Sequence, residues 1–220
     1  MATKRTYSDG CGIARALDLI GERWALIVVR ELLLGPKRFT DLHSGMPGVS
    51  PNVLALRLRE LEDSGLVRRR KLGPPAGSRV YELTEWGQEL EQVLLDLGRW
   101  GARSPIASEP YRSVDSLMLW QRSLFDAEVG GDLRATYEFT VGDDAFTVRV
   151  ADGELEVERG TAARPDASME SDLETLTAVL KGRRPVAEAT ASGDLRLTGD
   201  TGVVDRLIRA LKPQRPVAVA

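Results

Sequence analysis

Residues 50–83 read SPNVLALRLRELEDSGLVRRRKLGPPAGSRVYEL. Ser50 before Pro51 is a helix start: a hydroxyl that accepts an orphan amide, then a ring that fits the first helical position without an N–H. Leu54, Leu58 and Leu61 follow at i, i+4 and i+7, so one face of this helix is expected to turn inward. Gly65 stops it. VRRRK and RVYEL then read as two strands around GPPAGS, residues 73–78, whose Pro and Gly residues exclude regular strand. A short helix followed by a basic hairpin suits a duplex, with the helix in the major groove and the hairpin along phosphates or the minor groove.

Upstream, Asp9 is expected to cap a first helix carrying Ile13, Ala16, Leu17 and Ile20. A second helix runs from about Glu22 to Leu34 and stops at Gly35-Pro36. RFTDLHSGM suggests a short third helix, and MPGV turns it into the helix opened by Ser50: a helix-turn-helix. At 100° per residue the outward face of that fourth helix carries Asn52, Leu56, Arg59, Glu60 and Asp63, with Arg57 on a flank. The candidate DNA contacts are therefore Ser50, Asn52, Val53, Leu56, Arg57 and Arg59 on the helix, and Arg68, Arg70 and Arg79 on the hairpin. Asn52 suits adenine, an arginine suits guanine or phosphate, and Leu56 suits a thymine methyl or is a plain surface leucine. Thr84 is expected to cap a long helix to about Arg103. On it Trp86, Leu90, Val93, Leu97 and Trp100 form a heptad seam, either a dimer interface or a core stripe.

SPIASEPYRS, residues 104–113, reads as a linker, and another helix is expected from Ser116 to Asp126. The period then changes to two. YEFTV, AFTVRVA and ELEVER alternate around Gly142-Asp143-Asp144 and Asp152-Gly153, which are hairpin turns. Tyr137, Phe139, Val141, Phe146, Val148, Val150, Leu155 and Val157 share one face, which needs a cover. Helices opened by a capping box at Ser171-Asp172-Leu173-Glu174, then from Pro185 to Ser192, and finally around Val204, Leu207, Ile208 and Leu211 supply it, with LRLT as a further strand. The expected fold class is thus mainly α with α+β: residues 1–103 for DNA binding and dimerisation, linker 104–113, an antiparallel sheet covered by helices in 114–212, and a loose tail 213–220.

Composition sets the outer bounds. The chain has 220 residues, 42% hydrophobic and 29% charged, as in an ordinary globular protein. No apolar run approaches the roughly 18–20 residues that span a bilayer, and MATKRTYSDG lacks a signal peptide's apolar core, so no membrane partner and a cytoplasmic location are expected. Residues 1–105 hold 16 Lys/Arg and 13 Asp/Glu, while residues 106–220 hold 14 and 20. The basic surplus lies in residues 51–79, with seven Lys/Arg against three acids, so phosphate contact belongs there and not in the acidic half. Cys11 and His43 are the sole residues of their types, which leaves no disulfide framework and no metal site, and no cofactor is expected. His43 reads as a solvated or helix-terminal histidine. No nucleophile–base pair can be assembled, so an enzyme is not expected.

CGIARALDLIGERWALIVVRELLLGPKRFTDL, then GVSPNVLALRLRELEDSGLV and YELTEWGQEL, resembles the HxlR-type family of bacterial winged helix-turn-helix regulators over about residues 9–103. The resemblance implies a homodimer on a palindromic operator in double-stranded DNA, with contacts from the Ser50–Arg59 helix and the Arg68–Arg79 hairpin. Some members sense oxidants or electrophiles through the N-terminal cysteine, here Cys11. About residues 113–212 resemble, less sharply, the sterol carrier protein family: FTVRVADGELEVERG, Pro-Asp-Ala-Ser, ESDLETLTAVLKGR, ATASGDLRLTGD and the closing helix. That resemblance implies a tunnel for a lipophilic small-molecule effector, lined by Phe139, Val148, Val150, Leu155, Leu176, Leu180 and Leu207. The same residues serve an ordinary packed core equally well. Two readings follow: a regulator modulated by a lipophilic ligand, or one that senses through Cys11 with the second domain as a dimerisation scaffold.

Overall fold

The computed structural model describes residues 6–73, 77–105 and 113–211. It divides into two units, Met1–Leu94 and Leu95–Ala220.

The first unit begins with α1 (Gly12–Ile20), α2 (Ala25–Leu32), α3 (Phe39–Gly45) and α4 (Pro51–Asp63). Cys11, not Asp9, occupies the N-cap of α1. Asp9 instead accepts the Cys11 amide at 2.9 Å, a local turn that brings the chain into the helix. At α4 the Ser50 hydroxyl accepts the Val53 N–H at 3.3 Å, and Leu54, Leu58 and Leu61 are buried together with Val28, Val29, Leu32 and Leu42. This face is what fixes α4 in the unit: three leucines placed in a core of aliphatic neighbours.

β1 (Val67–Lys71) and β2 (Arg79–Leu83) form an antiparallel hairpin with Arg68 opposite Glu82 and Lys71 opposite Arg79. Lys37 adds a single bridge to Tyr81, exchanging both backbone hydrogen bonds. The tip residues 74–76 lie outside the described residues. Thr84 caps the next helix as expected, accepting the Gly87 N–H at 3.1 Å. The expected long helix is two: α5 (Glu85–Gln88) and α6 (Leu90–Gly101). Gly87 sits so close to the hairpin that a Cβ there would be 2.1 Å from the Leu66 carbonyl oxygen. The division between the units falls inside α6.

Most of the linker, residues 106–112, and the tail from 212 lie outside the described residues. The second unit continues with α7 (Val114–Leu124), α8 (Ala127–Gly130), β3 (Ala135–Val141), β4 (Asp144–Ala151), β5 (Glu154–Arg159), β6 (Ala167–Ser171), α9 (Leu173–Leu180), α10 (Val186–Ala191), β7 (Leu195–Gly199) and α11 (Thr201–Ala210). The sheet order is β5-β4-β3-β6-β7. It is mixed rather than antiparallel, because β6 pairs parallel with β3 while every other pair is antiparallel. The eight inward side chains named from the alternation, Tyr137 to Val157, are all buried. Asp172, not Ser171, caps α9: its carboxylate accepts the Thr175 N–H at 2.7 Å, while Ser171 ends β6 and donates to the Asp194 carbonyl. α7 packs on β5 and α11 on β6.

Candidate nucleic-acid interface

The helix-turn-helix consists of α3, the Met46–Val49 turn and α4. With its leucine face buried, α4 turns Asn52, Val53, Leu56, Arg59 and Asp63 to solvent, and Ser50 and Pro51 are exposed at its start. Val53 is 37% and Leu56 42% exposed, a short aliphatic stripe on a polar face. Arg59 keeps only a local hydrogen bond, Nε to the Ala55 carbonyl at 3.4 Å, and has no ion pair among the described residues. Its guanidinium is positioned to reach outward.

Arg57 is placed differently from the others. Its side chain is largely buried, paired with Glu60 one turn on and with Glu22 at 3.6 Å in the turn before α2. A largely buried arginine bound by two carboxylates fastens α4 to that turn and is not presented to a duplex. Trp24, in the same turn, adopts a left-handed backbone at φ 78°.

On the hairpin the arginines are also paired. Arg68 and Arg70 donate through Nε to the two oxygens of Glu82, each at 2.8 Å. These pairs hold the Glu82 carboxyl below the usual carboxylate range, against the opposing effect of its burial. Arg69 points to the other face, 3.0 Å from Glu62 and over the Tyr81 ring. Lys71 and Arg79, opposite one another near the tip, are exposed and have no ion pair among the described residues. Register puts Arg79 on the face opposite Arg68 and Arg70. His43 stacks in parallel on Phe39 with ring centroids 6.5 Å apart, a packing role within α3.

Along α6 the seam positions are open to solvent: Val93 is 52%, Leu97 43% and Trp100 74% exposed. Trp86 on α5 is exposed too and Leu90 half-buried. On α1, Ile13 and Leu17 are likewise exposed. Cys11 is exposed at the start of α1. The backbone N–H groups of Ala14 and Ile13 lower its pKa below the ordinary thiol range, which outweighs a small desolvation effect. In the second unit Phe139, Val148, Val150, Leu176, Leu180 and Leu207 are fully buried and Leu155 nearly so. Among the described residues no three His, Cys, Asp or Glu side chains could hold a metal ion, and no helix is long and apolar enough to cross a membrane.

The sequence profile of the HxlR-like helix-turn-helix family matches residues 19–108. The uncharacterized HTH-type transcriptional regulator YybR of Bacillus subtilis is 35% identical over 48% of this chain and 84% of its own.

The chain belongs to the HxlR-like family.

It is a DNA-binding transcriptional regulator of the helix-turn-helix type, and its second half, residues 127–212, matches the SCP-2 sterol transfer family. The HTH-type transcriptional regulator YodB of B. subtilis is 36% identical over 39% of this HxlR-like chain and 76% of its own. The solved quinone-bound form of YodB superimposes with a TM-score of 0.36 over 40% of this chain and 93% of its own, at 34% identity. The oxidized form of the redox regulator HypR does so with a TM-score of 0.41 over 44% and 100%, at 33% identity.

The exposed face of α4 and the arginines of β1 are legible in the sequence, whereas the roles of Glu82 and Glu22 are not. Each is an acid far along the chain from its arginine. The signal for Glu82 was the antiparallel register, which sets it opposite Arg68.

Proposed function

We propose that this HxlR-like regulator binds a palindromic operator as a homodimer and that its DNA affinity is set by the chemical state of Cys11. The observation that carries the proposal is the placement of that thiol, exposed and at the first turn of α1, where backbone amides favour the thiolate. A thiolate is the form that attacks oxidants and electrophiles. With one cysteine in the chain, its products are a mixed disulfide with a small thiol, a disulfide to the same residue of a second copy, or an adduct of an electrophile. YodB, 36% identical in its matched part, is known in a quinone-bound form, which supports an electrophile as the signal. In this reading Asn52, Val53, Leu56 and Arg59 enter the major groove, and the hairpin face that carries the paired Arg68 and Arg70 lies near phosphates. The exposed stripe on α6 is the dimer surface, and the sterol-carrier-like unit enlarges it. The test is DNA affinity of the wild type and of Cys11→Ser before and after treatment with a quinone. A change in the wild type alone supports the reading, and an identical change in both eliminates it.

A second reading, a lipophilic effector in the second unit, rests on the match to the SCP-2 sterol transfer family. Its lining would be Phe139, Val148, Val150, Leu155, Leu176, Leu180 and Leu207, which must then separate to admit a ligand. Native mass spectrometry of the purified dimer, repeated after denaturation, decides it: an adduct lost on denaturation supports the ligand, and a clean mass supports the scaffold.

A further inference from the structure

The hairpin that would lie along the duplex carries its own competing anion. Arg68 and Arg70 stand two residues apart on β1, about 7 Å along the strand. Both side chains are exposed, yet each gives its Nε to a different oxygen of one carboxylate, that of Glu82 on β2. Glu82 itself is nearly buried, with a side-chain exposure of 11%. The carboxylate is therefore fixed while the guanidiniums above it stay accessible. Because Nε is used inward, the terminal amino groups of both arginines are without a hydrogen bond among the described residues. They form two aligned donor ends on one face of the hairpin.

Two consequences follow from this geometry. The arginines are held in place before any phosphate arrives, so less side-chain freedom is lost on binding. The local charge is one positive unit, not two, because the carboxylate lies within hydrogen-bonding distance of both. Non-specific DNA binding depends almost wholly on such charge. A pair of arginines whose charge is halved, but whose donors are aimed, loses indiscriminate affinity and keeps geometry-dependent contacts. We infer that Glu82 is a positioning residue that sets the discrimination of this regulator, suppressing binding to arbitrary duplexes by holding Arg68 and Arg70 in a shared carboxylate clamp.

The inference rests on the DNA-binding reading of the hairpin, and the experiment separates the two. Fluorescence anisotropy would follow the full-length protein binding a labelled 30-base-pair duplex of arbitrary sequence over a series of salt concentrations. The proteins are the wild type, Glu82→Gln, and the double variant Glu82→Gln with Arg68→Gln. Glu82→Gln should steepen the dependence of log affinity on log salt by about 0.9 for each hairpin in contact, which at 0.1 M salt tightens binding by up to about eight-fold per hairpin. The double variant restores the hairpin's net charge and should return the slope to that of the wild type. Lost folding alone would not produce this return. A second duplex, selected from a random pool by the wild type, should lose its advantage over the arbitrary one in Glu82→Gln. An unchanged or shallower slope in a Glu82→Gln protein that melts like the wild type overturns the inference and leaves DNA binding intact. So does a double variant that fails to return. A wild type that binds no duplex at all overturns both.

Discussion

Replacing Trp100 by alanine tests the proposed dimer at the most exposed large apolar side chain among the described residues. A tryptophan side chain presents about 250 Å², and Trp100 is 74% exposed. Roughly 185 Å² is thus available for a partner to cover, of which alanine would keep about 50 Å². At about 25 cal/mol per Å² the loss is about 3 kcal/mol per protomer. A two-fold axis repeats the change, but incomplete coverage and the general costs of association offset much of that doubling. The net expectation is about 3 kcal/mol, a roughly hundred-fold weaker dimer. Sedimentation equilibrium over a wide concentration range measures this directly. The thermal midpoint at concentrations where both proteins are monomeric should not move, since the ring is mostly in solvent within the single chain. A dimer constant within three-fold of the wild type would refute the assignment of the α6 stripe as the interface.

Other expectations follow from individual side chains. Gly87→Ala places a methyl 2.1 Å from the Leu66 carbonyl oxygen and 3.3 Å from Leu83 Cβ; it should cost about 3 kcal/mol and lower the first unit's calorimetric transition. Tyr137→Phe removes a buried hydroxyl that donates to the Val203 carbonyl at 2.8 Å; about 1 kcal/mol of stability should disappear, measured by urea denaturation. The lowered pKa of Cys11 enlarges its thiolate fraction at neutral pH, so the pH midpoint of its alkylation by iodoacetamide should lie below that of glutathione and rise to the ordinary value in denaturant. Arg59→Ala should reduce the salt dependence of DNA binding by about 0.9 for each phosphate that the arginine neutralises, whereas Arg57→Ala should act mainly on stability, because its carboxylate partners are within the fold.

The sequence disclosed those parts of the fold that depend on short-range pattern. Ser50-Pro51, the leucines of α4 and the alternation through β3, β4 and β5 each carry their signal within one element, and the structure follows them. The misreadings share a different cause. β6 is five residues long and finds its place by pairing parallel with β3, a contact some thirty residues away that alternation cannot announce. The division of the expected long helix into α5 and α6 has no breaking residue at Glu89; the close approach of Gly87 to the hairpin accompanies it. Ser171 and Asp172 both suit a cap, and only the end of β6 decides between them. At the interface, residue type revealed the cations, but their partners did not show. Arg57 is withdrawn by Glu22 and Glu60, and Arg68 and Arg70 are shared by Glu82, through pairings that exist only after the chain has folded.

Thiol control of DNA affinity is open to one direct titration. A duplex selected from a random pool by the reduced wild type would be titrated with the wild type and Cys11→Ser, each before and after exposure to benzoquinone, with mass spectrometry to verify the adduct. The two reduced proteins should bind with equal affinity, and treatment should change the affinity at least ten-fold in the wild type only. Wild-type affinity that stays constant while Cys11 carries the adduct would contradict thiol control.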